Sequence, residues 1–117
     1  MINELIGRVF AARDITHRAH WRTSSFAQHT ALGEFYEALP DQIDTIVETY
    51  QGLGTLVDPD IIKADDVPDL LNWLKDEADW IEANRELISI GSNSLSNLID
   101  GLTATYLHVI YKLERLA

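Results

Sequence analysis

The sequence contains no cysteine, and none of its apolar runs approaches the roughly 18 residues needed to cross a bilayer. The missing cysteine excludes disulfides and thiolate metal sites and suits a reducing compartment. The N-terminus, MINELIGRVF, lacks the charged start, uninterrupted apolar stretch and small-residue cleavage site of a secretory signal. We therefore expect a cytoplasmic protein that does not enter a membrane.

Basic residues are scarce, with 9 Lys and Arg against 19 Asp and Glu, and the net charge is −10. Such a surface repels phosphate backbones, and no Lys/Arg-rich tail offsets it, so DNA binding is not expected. The same charge would concentrate cations near the protein. A length of 117 residues with 46% hydrophobic content predicts a single domain over residues 1–117.

No segment reads as a strand, and apolar residues recur at three- and four-residue steps through most of the chain. This spacing predicts helices from Ile2 to about Thr23, Ser25 to Tyr50 and Asp66 to Ile90, and a fourth helix capped by Ser94. Pro40 lies inside the second pattern, which stays in phase on both sides and predicts a kinked, continuous helix. A crossover at 55–66 then joins two antiparallel helical hairpins into an all-α four-helix bundle.

Residues that can bind a metal or move a proton concentrate between positions 17 and 48. His17 and His20 are three residues apart and share a helical face, as do Asp44 and Glu48, which are four apart. His29 lies near the start of the second predicted helix. Neither pair is specific alone, because a histidine on an apolar stripe is more often a hydrogen-bonded core residue and an acidic pair usually faces solvent.

Distance along the second helix limits how these residues can cooperate. His29 and Asp44 are 15 residues apart, or roughly 22 Å at about 1.5 Å per residue, so they cannot share one metal ion within a straight helix. If the histidines and the Asp44/Glu48 pair form one site, they must come from different chains, for example across a two-fold axis. A cage inside one bundle is disfavoured, because such di-iron sites use Glu-x-x-His motifs and the sequence contains none.

The segment HRAHW, a short loop, FAQH and then the spacing to Asp44 and Glu48 resemble the Dps-type miniferritins. Their pattern is His-x-x-His-Trp, a loop, Phe-x-x-His, and Asp-x-x-x-Glu late in the second helix. The segments DLLNWLKDEADWIEANRELI and NSLSNLIDGLTATYLHVIYKLERL are similar to the third and last helices of that family. The resemblance implies a ferritin-like four-helix bundle, with this chain as a shortened and divergent member of the Dps-type family.

The resemblance also implies a ligand set. Iron would be bound by His20 and His29 of one chain and Asp44 and Glu48 of its mate, with His17 as an auxiliary residue. It implies a candidate ferroxidase that oxidises Fe(II) with peroxide or oxygen, stores ferric iron and acts in oxidative stress. The expected assembly is a homo-oligomer, from a two-fold dimer up to a dodecameric shell, and Zn²⁺ or another divalent ion is a second expected occupant.

Two alternatives to an iron-oxidising protein remain open. One is a non-enzymatic ferritin-like bundle that serves as an assembly or scaffold protein. The other is a structural metal clip at a dimer interface, built from the same residues and without turnover.

Overall fold

A computed structural model describes residues 1–116 of the chain, and within this range it contains helices and no strand. The helices are α1 (Ile2–Arg22), α2 (Phe26–Gly52), α3 (Leu70–Ser89) and α4 (Asn93–Arg115). The prediction of an all-α four-helix bundle is therefore confirmed. Ala117, the last residue of the predicted domain, lies outside the described residues.

Two helical hairpins form the bundle, and each helix packs against two others: α1 against α2 and α3, and α4 against α2 and α3. Residues 53–69 form an extended crossover that returns along α1. Its first part is fixed where the Asp60 amide donates to the Asn3 carbonyl, at 3.0 Å. Near its end Asp66 contacts Arg22, so α3 starts at the same end of the bundle as α2 and runs parallel to it.

Side-chain caps explain where three helices begin. The Ser25 hydroxyl accepts from the Gln28 amide at 3.2 Å and so caps α2. The fourth helix is capped by Ser92, which accepts from the Leu95 amide at 3.2 Å. The prediction of Ser94 as that cap was wrong by two residues.

The third helix begins later than its sequence pattern predicts. A start near Asp66 is wrong, because α3 begins only at Leu70. Pro68 disfavours a helical conformation for Val67, and the Asp69 carboxylate caps the helix by accepting from the Asn72 amide at 3.1 Å. The crossover is therefore longer than predicted.

The core fills the space between the four helices and confirms most of the predicted stripes. Phe10 is an exception on α1: it is 52% exposed, whereas its neighbour Val9 is fully buried. Helix α2 runs through Pro40 without interruption, as predicted. The largest fully buried side chains are Leu5, Ile6, Leu32, Leu39, Ile43, Ile46, Leu74, Ile81, Ile88, Leu95, Ile99 and Tyr106.

The sequence predicts no membrane-spanning segment. None of the helices described between residues 1 and 116 is both long and apolar enough to cross a bilayer.

Candidate metal centre

The connection between α1 and α2 brings His20 and His29 into direct contact. The His20 Nδ1 lies 2.6 Å from the His29 carbonyl oxygen, and the His29 Nδ1 lies 2.8 Å from the His20 carbonyl oxygen. The two rings stack with their centroids 3.6 Å apart and their planes 20° apart. Both side chains are half-buried, so the three-residue connection creates a compact imidazole pair at one end of the bundle.

These reciprocal bonds determine which ring nitrogen carries the proton. A carbonyl oxygen can only accept a hydrogen bond, so each Nδ1 must donate, and in the neutral imidazole each Nε2 then keeps its lone pair. Neither Nε2 has a hydrogen-bond partner among residues 1–116. Metal-binding histidines characteristically donate their second ring N–H to a carbonyl or carboxylate in this way.

The same bonds also have a structural purpose. Because α1 ends at Arg22, the His20 carbonyl is one of the last four of the helix and lacks an amide partner within it. The His29 Nδ1–H satisfies that carbonyl and ties the end of α1 to the start of α2. The imidazole pair therefore joins the two helices without any metal.

An aromatic cluster lies next to the imidazole pair, between α1 and α2. The His17 ring stacks on Tyr36, with centroids 4.0 Å apart and planes 15° apart. The Trp21 ring lies 4.3 Å from His17 on the same helix, and the His17 and His20 centroids are 6.2 Å apart. His17 thus lies beside the imidazole pair, where an auxiliary residue is expected, with its ring held by Tyr36.

Asp44 and Glu48 lie farther along α2 and do not reach the histidines of the same chain. Both side chains are exposed, and neither makes an ion pair or side-chain hydrogen bond with the described residues. Fifteen residues of uninterrupted helix, roughly 22 Å, separate Asp44 from His29. Accordingly, residues 1–116 contain no group of three or more His, Cys, Asp or Glu side chains placed to hold a metal ion.

Gly33, which stands where the Dps-type family usually has an acidic residue, and Tyr36 make contacts in this centre that the sequence did not predict. A Cβ atom at Gly33 would lie 3.2 Å from the Cε1 and 3.4 Å from the Nδ1 of His20, so the imidazole packs on bare helix backbone. Tyr36 supplies the ring on which His17 stacks. Their spacing of four and seven residues from His29 puts all three on one face of α2, and this was the available signal.

A second polar cluster lies on the side of α1 that faces α3. The Arg8 Nε donates to Glu4 at 2.9 Å, its Nη1 pairs with Glu77, and its guanidinium lies 4.2 Å above the Trp80 ring. Burial raises the pKa of Glu77, and the attraction of Arg8 opposes this shift. Burial, and secondarily the charge of Glu77, also holds the pKa of the Tyr106 phenol far above its usual range.

Comparison with known proteins places the chain in a family. The sequence profile of DUF5856, a family of unknown function, matches residues 20–113. The chain belongs to the DUF5856 family. The range matched by DUF5856 includes His20, His29, Asp44 and Glu48 and leaves out His17.

One curated relative of this DUF5856 protein comes from Enterobacteria phage T4 and is described as an uncharacterized 14.6 kDa protein in the mobD-ri intergenic region. It is 37% identical over 67 residues, which cover 56% of this chain and 52% of the phage protein. The matched region thus spans about half the length of that relative. No solved structure matches the chain.

Proposed function

We propose that this DUF5856 protein is a Dps-like, ferritin-like iron-binding protein that oxidises Fe(II) between two copies of the chain. Each copy would contribute His20 and His29 to one site and Asp44 and Glu48 to the other. The observation that carries the proposal is the pair of Nδ1–carbonyl hydrogen bonds, which leaves both Nε2 lone pairs available to a cation.

Three further properties support an intersubunit site. The imidazole pair offers two ligands, fewer than a ferroxidase centre needs, and the unpaired Asp44 and Glu48 lie too far away in the same chain. A two-fold contact that sets α2 antiparallel to its copy would join each imidazole pair to the acidic pair of the other chain. The net charge of −10 would draw cations toward such sites.

The reaction requires positioning and charge stabilisation from the protein. Imidazole and carboxylate ligands suit Fe(II) while leaving coordination positions for the oxidant. Each of two Fe(II) ions gives up one electron, the O–O bond of one hydrogen peroxide breaks, and two solvent protons complete two water molecules. The carboxylates would favour the more highly charged ferric product.

The proposal predicts that the purified protein accelerates oxidation of added Fe(II) by peroxide relative to buffer, as followed by ferric absorbance. His20→Ala and Glu48→Ala should each abolish the acceleration, since each removes one ligand. His29→Asn is a sharper change, because the Asn amide can replace the Nδ1–H that caps α1 but supplies no Nε2 ligand. It should keep the fold and lose the activity.

Asp41→Ala is the matched control, because Asp41 is also an exposed acidic residue on α2 and is outside the proposed ligand set. Its oxidation rate should equal that of the wild type. Equal rates for the wild type, His20→Ala and Glu48→Ala would overturn the proposal.

The second candidate is a non-enzymatic scaffold protein, favoured by the two Nδ1–carbonyl bonds, which join α1 to α2 without a metal. It predicts no calorimetric heat with micromolar Fe(II), Zn(II) or Co(II). A structural metal clip at a dimer interface, in contrast, predicts that metal raises the melting temperature while Fe(II) oxidation stays at the buffer rate.

A further inference from the structure

A cleft opens at the end of the bundle where α1 ends and α3 begins. Helices α1 and α3 contact each other less than the other neighbouring pairs of helices do, and residues 64–67 of the crossover line one side of the opening. The cleft has a volume of about 450 Å³, which is within the range of small-molecule sites. We call it the end cleft, and its floor consists of Ile15, Ala19, Leu32, Leu70, Leu71 and Leu113.

The floor of the end cleft is entirely apolar and draws side chains from all four helices. Ile15 and Leu32 are buried, and the other four residues are half-buried. These four pack against the core and also face the cleft. Apolar surface that the chain itself leaves uncovered in a concave site favours the apolar part of a ligand.

Hydrogen-bond donors lie around the opening. Arg18 donates through Nε to Asp14 at 3.2 Å, and Arg22 donates through Nη1 to Asp66 at 3.3 Å. The other N–H groups of both guanidiniums, and the side-chain NH₂ group of Gln28, donate to no residue between 1 and 116. Both ion pairs are exposed to solvent, so they are weak and a ligand can replace them.

Two aspartates beside the opening do not reverse this preference for an acceptor. Asp65 pairs with Lys63 at 3.1 Å, and Asp66 pairs with Arg22 at 3.3 Å, so each carboxylate already has a cation. The arginines, in contrast, keep N–H groups without an acceptor among the described residues. The complementary group is therefore an anion, and a carboxylate matches the fork of a guanidinium with two parallel hydrogen bonds.

We propose that the end cleft binds a monocarboxylate with a linear apolar chain. The carboxylate accepts from Arg18 and Arg22, which are one helical turn apart, and from the Gln28 amide, while the chain lies on the apolar floor. The end cleft shares no residue with the imidazole pair and needs neither a metal nor a second copy. The proposal therefore does not depend on the proposed function.

Calorimetric titration of the full chain with decanoate tests the proposal. Decanoate should bind one molecule per chain, and decyltrimethylammonium, which has the same chain and a cationic head, should bind at least about tenfold more weakly. Arg18→Gln and Arg22→Gln should each lower decanoate affinity about tenfold, because each removes charge-assisted hydrogen bonds to the carboxylate. Arg13→Gln is the matched control, since Arg13 is also an exposed arginine on α1 and does not line the cleft.

A second measurement needs no variant. Nuclear Overhauser contacts should join the chain of bound decanoate to the methyl groups of Leu71 and Leu113 in the wild type. Contacts only to other methyl groups would overturn the location.

Three results would overturn the proposal itself. One is the absence of decanoate binding at millimolar concentration. The second is equal or tighter binding of decyltrimethylammonium, which would show that apolar adsorption or the aspartates dominate. The third is an equal loss of affinity in Arg13→Gln and Arg18→Gln, which would show a general effect of charge in place of a specific contact.

Discussion

At the connection between α1 and α2, the backbone decides which ring nitrogen of two histidines carries a proton. His20 and His29 each donate through Nδ1 to a backbone carbonyl, so the lone pair of each neutral ring resides on Nε2. A surface histidine without such a partner would exchange between tautomers and would have to be ordered by the metal. Backbone carbonyls of the two helices thus accept the hydrogen bonds that carboxylates often accept from metal-binding histidines.

Glu77 gives a prediction at the residue scale that is independent of metal. Its folded-state pKa is raised above the ordinary value of 4.5, because burial outweighs the attraction of Arg8. The ionised form is therefore disfavoured in the folded protein, and its cost to stability decreases as the pH falls through the raised pKa toward 4.5. Glu77→Gln should be at least as stable as the wild type at pH 7, and the wild type should gain on it as the solution is acidified.

Urea unfolding of both proteins at neutral pH and near pH 5 measures this difference. The other carboxylates titrate in both proteins, so their effects cancel in the comparison. A wild-type advantage that is largest at neutral pH and disappears on acidification would mean that the Arg8–Glu77 attraction dominates, contrary to this expectation.

At the scale of secondary-structure elements, the crossover at residues 53–69 is the unusual feature, because it is long for a connection without helix or strand. It is fixed to α1 by the Asp60–Asn3 backbone bond and by a bond from the Asp58 amide to the Asn3 side chain at 2.9 Å. Gly7 permits this approach: a Cβ there would lie only 2.6 Å from the Asp60 carbonyl oxygen.

Gly7→Ala should therefore displace the crossover from α1 and destabilise the protein by about 1–3 kcal/mol, the usual range for overpacking a close contact. Urea unfolding gives the magnitude, and hydrogen exchange should show faster exchange at the Asp58 and Asp60 amides. Gly101→Ala, where the added methyl meets open space, should instead be neutral or stabilising by up to about 1 kcal/mol. An equal response of the two variants would show that Gly7 is not needed for the approach.

Periodicity predicted the existence and order of the four helices well, because each buries one apolar stripe. It placed the start of α3 too early. The apolar Val67 continues the stripe, but Pro68 and the Asp69 cap fix the first helical residue at Leu70. Contacts such as Arg8 with Glu77, or Gly33 with His20, were not predictable, because they depend on the register between helices. The spacing of His29, Asp44 and Glu48 did predict that they cannot meet within one chain.

At the level of the whole molecule, the proposed site requires a second copy of the chain. A single chain presents an imidazole pair near one end of α2 and an acidic pair roughly 22 Å away, with no group of three ligands among the residues described. Two-fold symmetry would join each pair to its complement twice. Under the proposed function, the imidazole pair and the acidic pair of one chain therefore act only together with those of a second copy.

Mixing two inactive variants tests whether the site forms between two chains. His20→Asn/His29→Asn lacks the imidazole ligands, and Asp44→Asn/Glu48→Asn lacks the carboxylates, so neither should accelerate Fe(II) oxidation alone. In randomly mixed dimers, one of the two sites of each mixed dimer has all its ligands, and the preparation should recover about a quarter of the wild-type rate. A mixture that stays inactive, although mass measurement shows that mixed dimers have formed, would exclude a site shared between two chains, as would a protein that is monomeric at every concentration.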